Sequence, residues 1–128
     1  MESIIILLAL ACQLKFKLYQ MYVKTAFLNG LLKEDIYVAQ PKGFIDSHFS
    51  DHVLYLKKAL YGLKQAPRAW YDRLTQYLVL HGFTRGKANQ TLFLKREDGD
   101  LIVAQVYVAD IIFGSTKDEL AHSFSKLM

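Results

Sequence analysis

Gln105-Val106-Tyr107-Val108-Ala109-Asp110-Ile111-Ile112-Phe113-Gly114 is the stretch on which the reading of this chain turns. Two apolar, β-branched runs flank a short break, the pattern of two strands joined by a tight hairpin. That hairpin is predicted to carry a carboxylate, Asp110, at its tip, with Ala109 beside it. A second hairpin signal lies immediately upstream. Thr91 to Lys95 and Leu101 to Val108 flank Glu97-Asp98-Gly99-Asp100, where Asp-Gly tolerates the positive φ of a two-residue turn. Strands joined this way run antiparallel.

Helical patterns mix with these strands along the chain. Pro67 to about His81 places Trp70, Leu74, Tyr77, Leu78 and His81 on one apolar face, with Arg68, Asp72, Arg73, Thr75 and Gln76 on the other. Pro67 suits a first helical position and Gly82 a left-handed stop. Thr116-Lys117-Asp118-Glu119 reads as a capping box opening a last helix, with Leu120, Phe124, Leu127 and Met128 on one face. Residues 3–15 are predicted to form a helix buried on most sides, with Cys12 as a small buried hydrophobe. Strands are expected within Lys17–Lys24, at Ile36-Tyr37-Val38 and at Val53-Leu54-Tyr55-Leu56. Asn29-Gly30 marks a turn, and a loop carrying Pro41, Gly43 and Asp46 follows. The layout is α+β, with antiparallel hairpins packed on helices.

Bulk properties bound the function. A chain of 128 residues builds one modest domain, and 52% hydrophobic residues exclude a disordered chain. The formal charge of +4 and pI near 9.1 fit an anionic partner such as nucleic acid. One cysteine forms neither an internal disulfide nor a cysteine-based zinc site, and an intracellular setting is expected. The apolar run Ile4–Cys12 is far shorter than the ~20 residues of a bilayer span. Glu2 precedes it where a signal peptide has basic residues, so no stable membrane insertion is expected.

Four segments carry a family resemblance. They are Met21-Tyr22-Val23-Lys24-Thr25-Ala26-Phe27-Leu28-Asn29-Gly30, then Val38-Ala39-Gln40-Pro41-Lys42-Gly43-Phe44, then Leu60-Tyr61-Gly62-Leu63-Lys64-Gln65-Ala66-Pro67-Arg68-Ala69-Trp70-Tyr71, and finally Tyr107 to Asp110. In this order they resemble the copia-type retrotransposon reverse transcriptases, nearly end to end. The resemblance implies a partial reverse-transcriptase domain over residues 1–128: a palm with part of the fingers. The start of the fingers, the thumb and the ribonuclease H domain are expected to lie outside it. It also implies an RNA/DNA template-primer as partner and magnesium as cofactor. Two magnesium ions clamp the attacking hydroxyl and the leaving pyrophosphate, and clustered carboxylates offset their charge.

The family's three metal-binding aspartates fall here on Tyr22, Ala109 and Asp110. A tyrosine of ordinary pKa near 10 is a neutral phenol at pH 7 and a poor magnesium ligand. Alanine offers no oxygen. Asp110 is left as the one catalytic and metal-binding carboxylate, and loss of polymerase activity is expected. Glu34 and Asp35 read as an exposed acidic stretch, and Asp98 and Asp100 as turn residues of the opposite hairpin.

The resemblance further assigns Phe27 to sensing the sugar of the incoming nucleotide, against the plainer reading of a buried strand-end aromatic. Gln65, before a helix start that favours phosphate, resembles a residue contacting that nucleotide. Lys57, Lys58, Lys64, Arg68 and Arg73 form a basic cluster interleaved with Tyr61, Trp70 and Tyr71, suited to a nucleic-acid backbone and base stacking. Trp70 itself reads as core. His48 and His52 lie in a loop without further ligands, and His81 and His122 read as helix-surface residues. Three functions stay open: a degenerate reverse-transcriptase fragment, a non-catalytic nucleic-acid-binding or interaction module, and an active polymerase part completed by other polyprotein segments. Oligomeric state is not encoded in any of these features.

Overall fold

In the computed structural model, which describes residues 2–128, helix α1 (Glu2–Leu14) leads into β1 (Leu18–Tyr22), a 3-10 turn (Phe27–Asn29), β2 (Leu31–Ala39) and β3 (Val53–Lys58). Helix α2 (Ala66–Leu80) follows, then β4 (Thr84–Arg85), β5 (Leu92–Glu97), β6 (Asp100–Tyr107), β7 (Asp110–Ser115) and α3 (Asp118–Leu127). The chain divides into two compact units: residues 1–24 with 74–128, and residues 25–73. Helix α2 crosses the boundary between them. The mixed α/β composition with antiparallel sheets agrees with the sequence expectation.

The first unit is built on a five-stranded antiparallel sheet in the order β1-β7-β6-β5-β4. Its β5–β6 hairpin turns on Asp98 and Gly99, both at positive φ (51° and 84°), as the Asp-Gly pair requires. One face of the sheet meets α3. Phe113 lies 4.9 Å from Phe124, Phe83 lies 5.5 Å from Phe124, and Tyr19 stacks on Phe113 at 5.6 Å. On the other face, Leu92, Leu94 and Val103 line a cavity of about 820 Å³ with Ile6, Leu7 and Leu10 of α1 and the 86–89 segment.

Two expectations fail at α1. Its buried residues are Leu7 and Ala11, while Ile5, Ile6 and Leu8 are 51–68% exposed, and Cys12 is exposed. An apolar composition signals burial, but a helix laid against one face of a sheet buries one stripe only. The capping box at Thr116 fails as well. Lys117 occupies the cap position without a side-chain bond, and the Thr116 hydroxyl donates to Asp100 and accepts from the Leu101 amide. A cross-strand partner outcompeted the local one. No helix among the described residues is long and apolar enough to cross a membrane.

The second unit holds the two-stranded β2–β3 ladder and the N-terminal half of α2. Trp70, Leu74 and Leu78 of the apolar helix face read from the sequence are buried, whereas Tyr77 and His81 of that face are exposed. Gly30 is extended (φ −71°), so its role is not a left-handed turn. A Cβ there would stand 2.7 Å from the Trp70 amide nitrogen and 2.8 Å from Ala69, and only glycine lets the chain lie this close to α2.

Candidate functional site

Asp110 is the first residue of β7, and the two-residue turn before it is Val108-Ala109. The carboxylate therefore sits one residue past the predicted tip. No Gly or Asn marked the turn, and the left-handed φ falls on Val108 at +55°. A β-branched side chain there stores backbone strain of about 1–3 kcal/mol.

Pairing on both edges of β7 fixes what surrounds Asp110. Tyr107 of β6 and Tyr22 of β1 are its direct cross-strand partners. Directly opposed residues share a sheet face, with Cβ atoms about 4.5–5.5 Å apart. The carboxylate thus stands in a row between two phenols, half-buried, while Tyr22 and Tyr107 are 63% and 71% exposed. The Gln20 side-chain amide donates to Asp110 Oδ1 at 3.3 Å, and the Val23 amide donates to the Ala109 carbonyl at 2.9 Å. Together these bonds tie the end of β1 to the hairpin. Ala109 is buried. Among the described residues no three His, Cys, Asp or Glu side chains converge as a metal-holding group.

Behind the hairpin lies a polar clamp that sequence reading missed. Gln105, 5% exposed, is two residues before Tyr107 and so on the same face as Asp110. Its Nε2 donates to Thr91 Oγ1 at 2.6 Å, its Oε1 accepts from Asn89 Nδ2 at 3.2 Å, and the Thr91 hydroxyl donates to Asn89 Oδ1 at 2.7 Å. A buried amide with both ends bonded holds the 89–91 segment to β6. The signal was available: one glutamine inside an otherwise apolar strand.

The remaining candidates lie in the second unit. Phe27 is part of the 3-10 turn rather than a strand end, half-buried, with its ring 5.2 Å from that of Tyr61. The plainer reading had Phe27 at a strand end, but the amides of residues 28–30 bond back to carbonyls three residues earlier. Gln65 immediately precedes α2, and its carbonyl accepts from the Ala69 amide at 3.0 Å. Lys64, Gln65 and Arg68 line a cleft of about 470 Å³ together with Lys33, Glu34 and Asp72. Lys33 pairs there with Asp72 at 3.1 Å. Lys57 and Lys58 end β3 on opposite faces, and both are exposed, as are Lys64, Arg68 and Arg73. His48 and His52 sit beside Asp46 and Asp51, and His81 and His122 are exposed.

A family model described as reverse transcriptase (RNA-dependent DNA polymerase) matches residues 1–128. The chain is 41% identical over 121 residues to the retrovirus-related Pol polyprotein from transposon RE1 of Arabidopsis thaliana, covering 94% of this chain and 8% of that protein. It is 40% identical over 126 residues to the corresponding polyprotein from transposon RE2 of the same plant, covering 98% and 9%. Against that from transposon TNT 1-94 of Nicotiana tabacum it is 38% identical over 123 residues, covering 94% and 9%. The chain spans less than a tenth of the length of these relatives. No solved structure matches it.

Proposed function

Because this chain belongs to the reverse transcriptase (RNA-dependent DNA polymerase) family, we propose that it is a palm segment, with part of the fingers, of a copia-type retrotransposon Pol polyprotein, and that it no longer catalyses nucleotide addition. One observation carries the reading: across the ladder from Asp110 stands Tyr22, and the residue before Asp110 is Ala109. The family uses divalent metal ions, and two cations held a few ångströms apart need several anionic oxygens. The donors around Asp110 are one carboxylate, two phenols and a carboxamide already bonded to that carboxylate. This set does not fit a pair of magnesium ions, and no catalytic step runs through it.

Primer extension on an RNA template with magnesium or manganese tests the reading. Incorporation is expected to stay at background. Reproducible extension that Asp110→Ala abolishes would overturn it.

A second role, retained nucleic-acid binding, is favoured by the five solvent-exposed cations Lys57, Lys58, Lys64, Arg68 and Arg73 within one compact unit. Lysine and arginine contacts to phosphates release counterions, so binding should weaken steeply with salt. Neutralising Lys64 and Arg68, which share the cleft with Gln65, should flatten the slope of affinity against salt for an RNA–DNA duplex. An unchanged slope would remove these residues from the interface. In this reading Phe27 and Gln65 stay near the position of an incoming nucleotide without acting on it.

A further inference from the structure

The outer face of the β2–β3 ladder carries an aromatic pair that the motifs do not use. Tyr37 and Tyr55 are direct cross-strand partners, with ring centroids 5.3 Å apart and planes inclined by 43°. They are 61% and 51% exposed. The Tyr55 hydroxyl donates to Asp35 Oδ1 at 3.0 Å, which fixes one ring against rotation. Alternation along β3 puts Lys57 on the same face as Tyr55, two residues away, and Lys57 is exposed. Ile36, Val38 and Leu56 point the other way and are half-buried.

A cross-strand aromatic pair stabilises its own ladder by roughly 0.2–1 kcal/mol. Edge contact suffices for that, and it leaves unexplained why both rings keep more than half of their surface in water beside a cation. The arrangement matches the elements of a single-strand binding surface: aromatic faces for unpaired bases and a nearby ammonium for the phosphates between them.

We propose that Tyr37, Tyr55 and Lys57 form a stacking surface for unpaired template RNA. The inference rests on the nucleic-acid-binding role above for its polymer class, but it assigns a different face and a different contact. Stacking reads no base identity, so the surface accepts any sequence, and it requires bases that are not already paired. Asp35 repels phosphate and thereby turns the strand's backbone toward Lys57 and its bases toward the rings. The hydrogen bond from Tyr55 to this carboxylate also holds the phenol above its ordinary pKa of 10.0, so the ring stays neutral while it stacks.

Fluorescence anisotropy with the full chain tests this, using a labelled 12-nucleotide single-stranded RNA and, separately, a blunt RNA–DNA duplex. Stacking contributes about 1–3 kcal/mol per base, so Tyr37→Leu and Tyr55→Leu should each weaken single-strand binding by roughly 5- to 150-fold. Tyr37→Phe and Tyr55→Phe should hold it within about twofold. Duplex affinity should not move in any of them, and Lys57→Gln should reduce the salt slope for the single strand by about 0.7. Equal losses for single strand and duplex, or leucine variants that bind as wild type with unchanged circular dichroism, would overturn the proposal. The leucine result would leave the Lys64–Arg68 interface standing. Absence of any binding by the wild-type chain would overturn both.

Discussion

Placing carboxylates at positions 22 and 109 gives the sharpest test of the proposed loss of metal chemistry. In a Tyr22→Asp/Ala109→Asp variant three carboxylates meet at the hairpin, because residue 22 pairs directly with Asp110 and residue 109 precedes it. Their charges would be about 6 Å apart. Each pair then repels by roughly 0.7 kcal/mol in water and about 2.8 kcal/mol at an effective dielectric near 20. Position 22 is 63% exposed, so the watery limit governs and three pairs sum to roughly 2 kcal/mol of destabilisation. Ala109 is 8% exposed, and desolvating a carboxylate there adds to the cost.

In chelator the variant should melt at least about 8 °C below wild type, at ~4 °C per kcal/mol for a chain of this size. Magnesium or manganese at ~100-fold over its dissociation constant should return about 2.7 kcal/mol. Differential scanning fluorimetry with and without 10 mM cation reads both effects. A Tyr22→Asn/Ala109→Asn control separates charge from lost packing: it should show neither the full drop nor the metal recovery. Wild type should shift by less than ~1 °C. A folded double-aspartate variant indifferent to metal would refute the reasoning, and so would a wild-type shift that Asp110→Ala removes.

Three further outcomes follow from the geometry. Val108→Asn or Val108→Gly should stabilise the chain by about 1 kcal/mol in urea denaturation, since both residues accept the φ of +55° that valine resists; a loss of stability would show that the turn does not demand a left-handed residue. Gly30→Ala should cost roughly 2–3 kcal/mol, because its Cβ would press on backbone 2.7 Å away, and an unchanged denaturation midpoint would contradict the close approach to α2. Tyr55 should ionise above pH 10, chiefly because its hydroxyl bonds Asp35. A phenol with a raised folded pKa contributes stability that is complete below its unfolded value and fades as pH climbs through the folded one. Absorbance titration at alkaline pH should therefore show one tyrosine moving back toward 10 in Asp35→Asn, and an unmoved titration would deny the bond.

Much of this was legible in local patterns. The buried Trp70, Leu74 and Leu78 of α2, the Asp98-Gly99 hairpin and the strands around Asp110 follow from periodicity and turn chemistry, which act over a few residues. Positions whose partners lie far along the chain escaped. Thr116 looked like a helix cap until Asp100, 16 residues away, took its hydroxyl. Phe27, read as a strand end, escaped for a local reason instead: the amides of residues 28–30 close a 3-10 turn there. Gln105 sat unremarked because its partners Asn89 and Thr91 belong to another segment.

The sequence by itself determined the ancestry: the ordered motifs name the family, and Tyr22 and Ala109 stand where the proposed reading looks for carboxylates. Only the tertiary structure decided that Tyr22 stands opposite Asp110, because the β1–β7 register brings the two together across 88 residues of chain. It also decided that α1 buries a single stripe and that Tyr37 and Tyr55 share an exposed face. Composition measures how much apolar surface a chain has, but which part water still reaches depends on the surface packed against it.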